Sequence, residues 1–112
     1  MFLDKFNEFV DNLKNNSIVD EWYMSNFAEE NIKTLDTHEA FNNLKLFVSY
    51  MIERYNPDFE YEIVETLRYL KYQVNSNELF SNELFYSEKQ KNKIFELYTQ
   101  EYSKFILSEI FK

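Results

Sequence analysis

This chain of 112 residues contains no glycine and no cysteine, and it has one proline and one histidine. Without glycine it cannot form the phosphate-binding loops of nucleotide enzymes, because only glycine lets the backbone approach a phosphate closely. Without cysteine it has no disulfide, thiol nucleophile or thiolate metal site. The single histidine, His38, cannot build a multi-histidine metal site. We therefore expect no catalytic residue, no metal and no cofactor, and we expect that the protein is not an enzyme.

Long hydrophobic runs are also missing. The longest mainly apolar stretch, residues 46–52, has seven residues, whereas a bilayer-spanning helix needs about 18. The first residues lack the basic and apolar regions of a signal peptide. These features predict a cytoplasmic protein that does not bind membranes, with residues 1–112 forming a single domain.

Aromatic residues and helical periodicity are abundant. The chain has 12 Phe, 9 Tyr and 1 Trp, and 45% of its residues are hydrophobic, which is enough to bury a sizeable core. Apolar residues recur at spacings of three and four through most of the chain. This pattern predicts an all-α fold, a compact bundle of about five helices with no strand predicted.

Capping residues predict where the middle helices begin. Ser17 is expected to cap the second helix. Trp22 in that helix could belong to a partner-binding surface, but the core is the more frequent place for such a ring. Asp36, followed three residues later by Glu39, resembles a capping box before a third helix over residues 37–55. Asn56-Pro57 ends that helix and opens the fourth, because Pro at the first helical position loses no needed hydrogen bond.

The C-terminal third begins with a tandem duplication, since residues 76–80 and 81–85 both read SNELF. Ser-Asn pairs favour turns, so we predict a loop that packs on the body through its Leu and Phe residues. Ser87 and Gln90 form a second capping box, and one last helix is expected from about Glu88 to the C-terminus. Because glycine is absent, asparagines are expected to supply the left-handed residues at helix ends.

The charge is strongly negative and unevenly distributed. The chain carries 20 acidic and 12 basic side chains, a net charge of −8. Residues 1–67 hold 14 acidic and 5 basic side chains, which gives −9, and residues 68–112 hold 6 acidic and 7 basic, which gives +1. A direct nucleic-acid contact needs a basic patch, so none is expected.

Two stretches, residues 20–39 and 58–65, concentrate the acidic side chains. Helix N-termini account for about half of them, because carboxylates favour the positive end of the helix dipole. The remainder predicts a surface for a basic protein partner, with Tyr61 as an exposed anchor. The candidate partner-binding residues are Asp20, Glu21, Tyr23, Glu29, Glu30, Asp58, Glu60, Tyr61, Glu62 and Glu65.

A second polar-aromatic surface, with the opposite charge bias, is predicted where Tyr69 and Tyr72 lie beside Arg68 and Lys71.

In size, acidity and helical character, the whole chain resembles the small acidic immunity proteins of bacterial toxin systems, such as contact-dependent growth inhibition and nuclease bacteriocins. The resemblance implies an antitoxin that neutralises a cognate, basic nuclease-type toxin domain by stoichiometric binding. It transfers no site residue, because no family motif is matched. Two alternatives stay open. One is a phage or plasmid anti-defence inhibitor that mimics nucleic-acid charge. The other is a helical self-assembly module, a homodimer for example, that uses Phe105, Ile106, Ile110 and Phe111.

Overall fold

The computed structural model describes residues 1–15, 21–75 and 84–111. The α-helices in these ranges are α1 (Phe2–Asn15), α2 (Tyr23–Asn31), α3 (Thr37–Glu53), α4 (Glu60–Asn75), α5 (Glu88–Leu97) and α6 (Glu101–Ile110). A 3-10 turn, Pro57–Phe59, leads into α4. No strand occurs among the described residues, so the all-α prediction is confirmed. The count of about five helices is too low by one.

The additional helix arises because the predicted final helix is interrupted after Leu97. Tyr98 leaves the helical conformation with φ −98° and ψ 85°. Its side chain is completely buried, and its hydroxyl donates a hydrogen bond to the backbone carbonyl of Met51 at 2.8 Å. Periodicity within the segment could not show this break, because Met51 lies 47 residues away in the chain.

Both predicted capping boxes are confirmed. The Glu39 N–H donates to Asp36 Oδ1 at 2.8 Å, and the Asp36 N–H donates to Glu39 Oε1 at 3.0 Å. The Gln90 N–H likewise donates to Ser87 Oγ at 3.1 Å, and the Ser87 N–H donates to Gln90 Oε1 at 2.8 Å. Each box satisfies two donors that a helix N-terminus would otherwise leave unpaired.

The other predicted boundaries are found in part. Asn56 Oδ1 accepts a hydrogen bond from the Asp58 N–H at 3.0 Å, so Asn56 does cap the turn that opens α4. The expected cap Ser17 and residues 76–83 of the duplication lie outside the described residues. Of the duplication's last two residues, Leu84 is exposed and Phe85 is buried.

The prediction of left-handed asparagines at helix ends is wrong for the described part of the chain, where no residue has a positive φ. Helices end instead at larger residues such as Arg54 and Phe111. Their N–H groups bond the carbonyls of Tyr50 and Leu107, four residues earlier, at 2.8 Å. An ordinary last turn therefore closes these helices.

The hydrophobic core forms around α4, which packs against α2, α3 and α6. On the far side of α3, the fully buried Phe6 of α1 joins three helices: its ring centre lies 5.8 Å from Phe27, 5.2 Å from Phe47 and 5.5 Å from Tyr50. None of the described helices is both long and apolar enough to span a membrane. Every described helix exposes residues to solvent, and the most exposed large aromatic side chains among them, Trp22, Tyr72 and Phe105, lie at α2, α4 and α6.

Candidate binding surface

The exposed side of α2 carries the first candidate surface. Met24, Phe27 and Ala28 face the core, so helical spacing puts Glu29 and Glu30 on the opposite side. Both are exposed, as are Glu21 and Trp22 just before the helix. The Trp22 side chain is 61% exposed. We call these four residues, Glu21, Trp22, Glu29 and Glu30, the acidic ridge.

Trp22 is the residue for which sequence reasoning was most in error. The sequence favours the core for Trp22, where most tryptophans lie, over the alternative of a binding surface, but the buried side of α2 begins only at Met24. Trp22 is the N-cap residue of α2, and its carbonyl accepts a hydrogen bond from the Asn26 N–H at 2.8 Å. Its backbone thus belongs to the first turn of the helix while its ring lies outside the packed side.

Within the ridge, Glu29 is paired and Glu30 faces a groove. Lys33 Nζ donates to Glu29 Oε1 at 2.6 Å, and this hydrogen bond raises the pKa of Lys33. Both side chains are largely exposed, and a pair of this kind contributes little to stability. Glu30 lines a shallow groove between α1 and α2 together with Lys5 and Glu8.

Tyr23 connects the ridge to the start of α4. Its hydroxyl donates to Glu62 Oε2 at 2.5 Å, and its ring stacks on Phe9 with centres 6.0 Å apart. Burial and the adjacent Glu62 carboxylate raise the pKa of Tyr23, so the hydroxyl stays protonated and remains a donor. Of the predicted partner-binding residues, Tyr23 and Glu62 are therefore brought into contact, and both are half-buried.

Glu60 is buried and must be removed from the predicted binding set. Its side chain is 2% exposed. Oε2 accepts hydrogen bonds from the Ser103 hydroxyl at 2.5 Å and the Gln100 N–H at 3.2 Å, and Oε1 accepts one from the Tyr55 hydroxyl at 3.2 Å. This carboxylate is therefore held at the start of α6 and cannot reach a partner.

Glu65 is removed from the set for the same reason. It is 7% exposed, and Arg68 binds it with two hydrogen bonds, Nε to Oε2 at 2.5 Å and Nη2 to Oε1 at 2.9 Å. Burial and the adjacent Glu65 carboxylate raise the pKa of the Tyr102 hydroxyl on α6. Charge clustering in the sequence predicts a partner-binding surface here, but α6 covers this side of α4.

The remaining predicted residues lie at the surface or outside the described chain. Asp58 is exposed in the 3-10 turn. Tyr61 is 42% exposed, as its predicted role as an anchor requires, and its ring centre lies 5.1 Å from that of Tyr102. Asp20 belongs to the undescribed residues.

A second surface lies where α4 and α6 run side by side. Tyr72 is 58% exposed and Phe105 is 69% exposed. Arg68 lies beside them, with its guanidinium carbon 5.4 Å from the centre of the Tyr72 ring. The sequence had indicated the α4 part of this surface, but it could not show that α6 adds Phe105 to it.

A cleft with a volume of about 530 Å³ lies between α1, the end of α3 and the 3-10 turn. Its lining includes Asp11 and Glu53 but also Lys14 and Arg54, so it favours neither sign of ligand charge. His38 is exposed at the start of α3 and does not line it. Among the residues described, no group of three side chains could hold a metal ion.

No protein-family model matches the chain, and no curated protein is significantly similar to it.

Proposed function

We propose that this protein is an immunity protein, an antitoxin that binds a basic nuclease-type toxin domain and neutralises it by forming a stoichiometric complex. The acidic ridge of α2 is the proposed contact. The observation that carries the proposal is the exposure of Trp22 among Glu21, Glu29 and Glu30. Tryptophan is among the residues that dominate binding energy at protein interfaces.

The two kinds of side chain on the ridge would contribute in different ways. A large aromatic ring buries roughly 150–250 Å² when a partner covers it, and this contact slows dissociation. The carboxylates attract Lys and Arg over a distance, which accelerates association and orients the partner. The net charge of −8 extends the same attraction to the whole molecule.

The proposal is tested first by identifying the partner. The full chain, immobilised, is expected to retain a basic toxin from cells of its source, and a variant with Glu21→Lys and Glu30→Lys is expected to retain much less. The purified partner is then titrated with the chain while its toxic activity is measured. We expect complete inhibition at a one-to-one ratio. A partner that stays active in the presence of excess chain would contradict the proposal.

Charge reversal on the ridge should act on the association rate. The variant Glu21→Lys/Glu30→Lys is expected to associate with the toxin about tenfold more slowly at low salt, with little change in dissociation. The control is Glu53→Lys/Glu96→Lys, two exposed residues of α3 and α5. Both variants change the net charge from −8 to −4. Equal slowing by the two would mean that only total charge matters and that the ridge is not the contact.

Removing the aromatic ring should act on the dissociation rate. We expect Trp22→Ala to raise the dissociation constant by about 30-fold, corresponding to about 2 kcal/mol for an interface hot spot. Leu46→Ala, which truncates an exposed residue of α3, is the control and should change it less than twofold. Surface plasmon resonance measures both rate constants, and an unchanged dissociation rate for Trp22→Ala would place the contact elsewhere.

The charge-mimic alternative predicts a different partner. It requires carboxylates repeated at phosphate-like spacing over an extended surface, whereas the described ridge has three. The captured protein distinguishes the two proposals. A nucleic-acid enzyme whose binding to this chain is competed by DNA would favour the mimic over the antitoxin.

A further inference from the structure

We propose that the surface between α4 and α6 is a self-association site at which two copies of this chain form a symmetric dimer. We define the α4–α6 face by Arg68, Lys71 and Tyr72 on α4 and by Phe105, Ile106 and Glu109 on α6. It is separate from the acidic ridge of α2, and the inference does not depend on the proposed antitoxin function.

The two helices run in the same direction, and this creates the face. Near their starts, Glu60 binds Ser103, and the Tyr61 ring lies 5.1 Å from the Tyr102 ring. Farther along, side chains of both helices line a cavity of about 320 Å³. Phe105 stands at the edge of that cavity with 69% of its side chain exposed.

The volume of the cavity is large enough for an aromatic ring from a second copy. A cavity of about 150 Å³ is enough to hold a benzene ring in a protein interior, so the cavity between α4 and α6 has room for a phenyl group. In a twofold-symmetric dimer each copy presents the same surface to the other. The Phe105 ring of each copy would then enter the cavity of its partner and would cover the exposed Tyr72.

The charges of this face are complementary to those of a second copy, because the face carries both a basic and an acidic side chain, Lys71 and Glu109. Two molecules with a net charge of −8 repel each other, so they can associate only through a surface without excess negative charge. The α4–α6 face satisfies this condition: Lys71 and Glu109 have opposite charges, and Arg68 is held by Glu65 in a two-point ion pair. The acidic ridge does not satisfy it.

The size of the face predicts a weak dimer. The ten residues of α6 extend about 15 Å, and two adjacent helices are about 20 Å wide. The resulting footprint of roughly 300 Å² is smaller than the roughly 800 Å² that each partner contributes to a standard interface. We therefore expect weak association, in a monomer–dimer equilibrium that shifts towards the dimer only at high protein concentration.

The test measures the molecular mass of the full chain by sedimentation equilibrium across a wide concentration range. The mass of the native chain should rise from 13.8 kDa towards twice that value, 27.6 kDa. Phe105→Ser should remain at 13.8 kDa at every concentration. Leu46→Ser removes another exposed apolar side chain, on α3, and should dimerise like the native chain. Circular dichroism checks that both variants fold.

Salt dependence separates this dimer from a head-to-tail one. Raising the salt concentration screens the repulsion between the two acidic bodies, because the screening length falls from about 10 Å at 0.1 M to about 3 Å at 1 M. Dimerisation through the α4–α6 face should therefore strengthen severalfold. Contact between this face and the acidic ridge of another copy should weaken. A monomer at all concentrations, a dimer unaffected by Phe105→Ser, or a dimer weakened by salt would each overturn the proposal.

Discussion

At the scale of single residues, Glu60 stabilises the fold instead of binding a partner. The acidity of the chain had indicated a binding role for it. The N-cap residue of α6, Gln100, makes no capping hydrogen bond through its own side chain. Glu60 of α4 lies against this helix start, where it accepts hydrogen bonds from the Gln100 N–H and the Ser103 hydroxyl. A carboxylate is also favoured there by the helix dipole. The same side chain therefore fixes α6 against α4.

Removing the Glu60 carboxylate should destabilise the fold strongly. Glu60→Ala leaves the donors of Tyr55, Gln100 and Ser103 without this acceptor, and we expect a loss of about 3 kcal/mol in the free energy of unfolding. Glu60→Gln keeps one acceptor oxygen and should cost less. Urea denaturation measures both variants. Glu30→Ala, at an exposed position, should stay within about 0.5 kcal/mol of the native value, and an equally small effect of Glu60→Ala would contradict the assigned role.

Trp22 can be examined without a partner, because it is the only tryptophan in the chain. With its side chain 61% exposed, the folded protein should fluoresce at the long wavelengths of a hydrated indole. Acrylamide should quench it nearly as well in the folded state as in urea. If the emission maximum lies at short wavelength and acrylamide quenches it poorly, Trp22 is buried. The acidic ridge would then lack its exposed aromatic residue.

At the scale of helices, local capping stabilises α3 and α5, whereas α6 depends on a residue from another helix. Asp36 and Glu39 bond each other's backbone N–H groups within four residues of sequence. Glu60 and Ser103 are 43 residues apart. The start of α3 can therefore form early and locally, but the start of α6 is complete only after α4 has packed against it.

The contribution of the α3 capping box can be measured directly. Asp36→Ala removes the acceptor for the Glu39 N–H, and it should lower the free energy of unfolding by about 1 kcal/mol. Asn42→Ala, at an exposed position within the same helix, provides the control and should not be destabilising, because Ala has the higher helix propensity. If both variants are as stable as the native protein in urea, the box does not contribute to stability.

At the scale of the whole molecule, the burial of tyrosine hydroxyls makes the free energy of unfolding depend on pH in the alkaline range. Burial raises the pKa of Tyr98, which is completely buried, and also those of Tyr23 and Tyr102. The folded state therefore favours the protonated phenol. The stability this provides is fully present below the ordinary tyrosine pKa of 10.0 and is lost as the pH rises towards the folded values.

The free energy of unfolding should accordingly decline above about pH 10. Tyr98→Phe removes one of the ionising groups, so its decline should be shallower by up to about 1.4 kcal/mol per pH unit. The variant starts from a lower value at pH 7, because it loses the hydrogen bond to Met51, worth about 1 kcal/mol. Urea titrations from pH 7 to about 11 separate this constant loss from the slope, and equal slopes would refute the assignment.

The sequence by itself determined the features that depend on near neighbours. Helical periodicity established the all-α class, and the capping boxes at Asp36 and Ser87 were predicted correctly because their partners lie three residues away. The confinement of the negative charge to residues 1–67 is also a property of sequence alone.

Only the tertiary structure decided which charged and aromatic residues reach the surface. Glu60 and Glu65 are buried by the packing of α6 on α4, while Trp22 is exposed. The contacts responsible join distant parts of the chain: Tyr23 and Glu62 are 39 residues apart, and Glu60 and Ser103 are 43 apart. Local spacing fixes the direction of a side chain relative to its own helix, but the packing of helices decides whether that direction leads to water, to a hydrogen-bond partner or to the core.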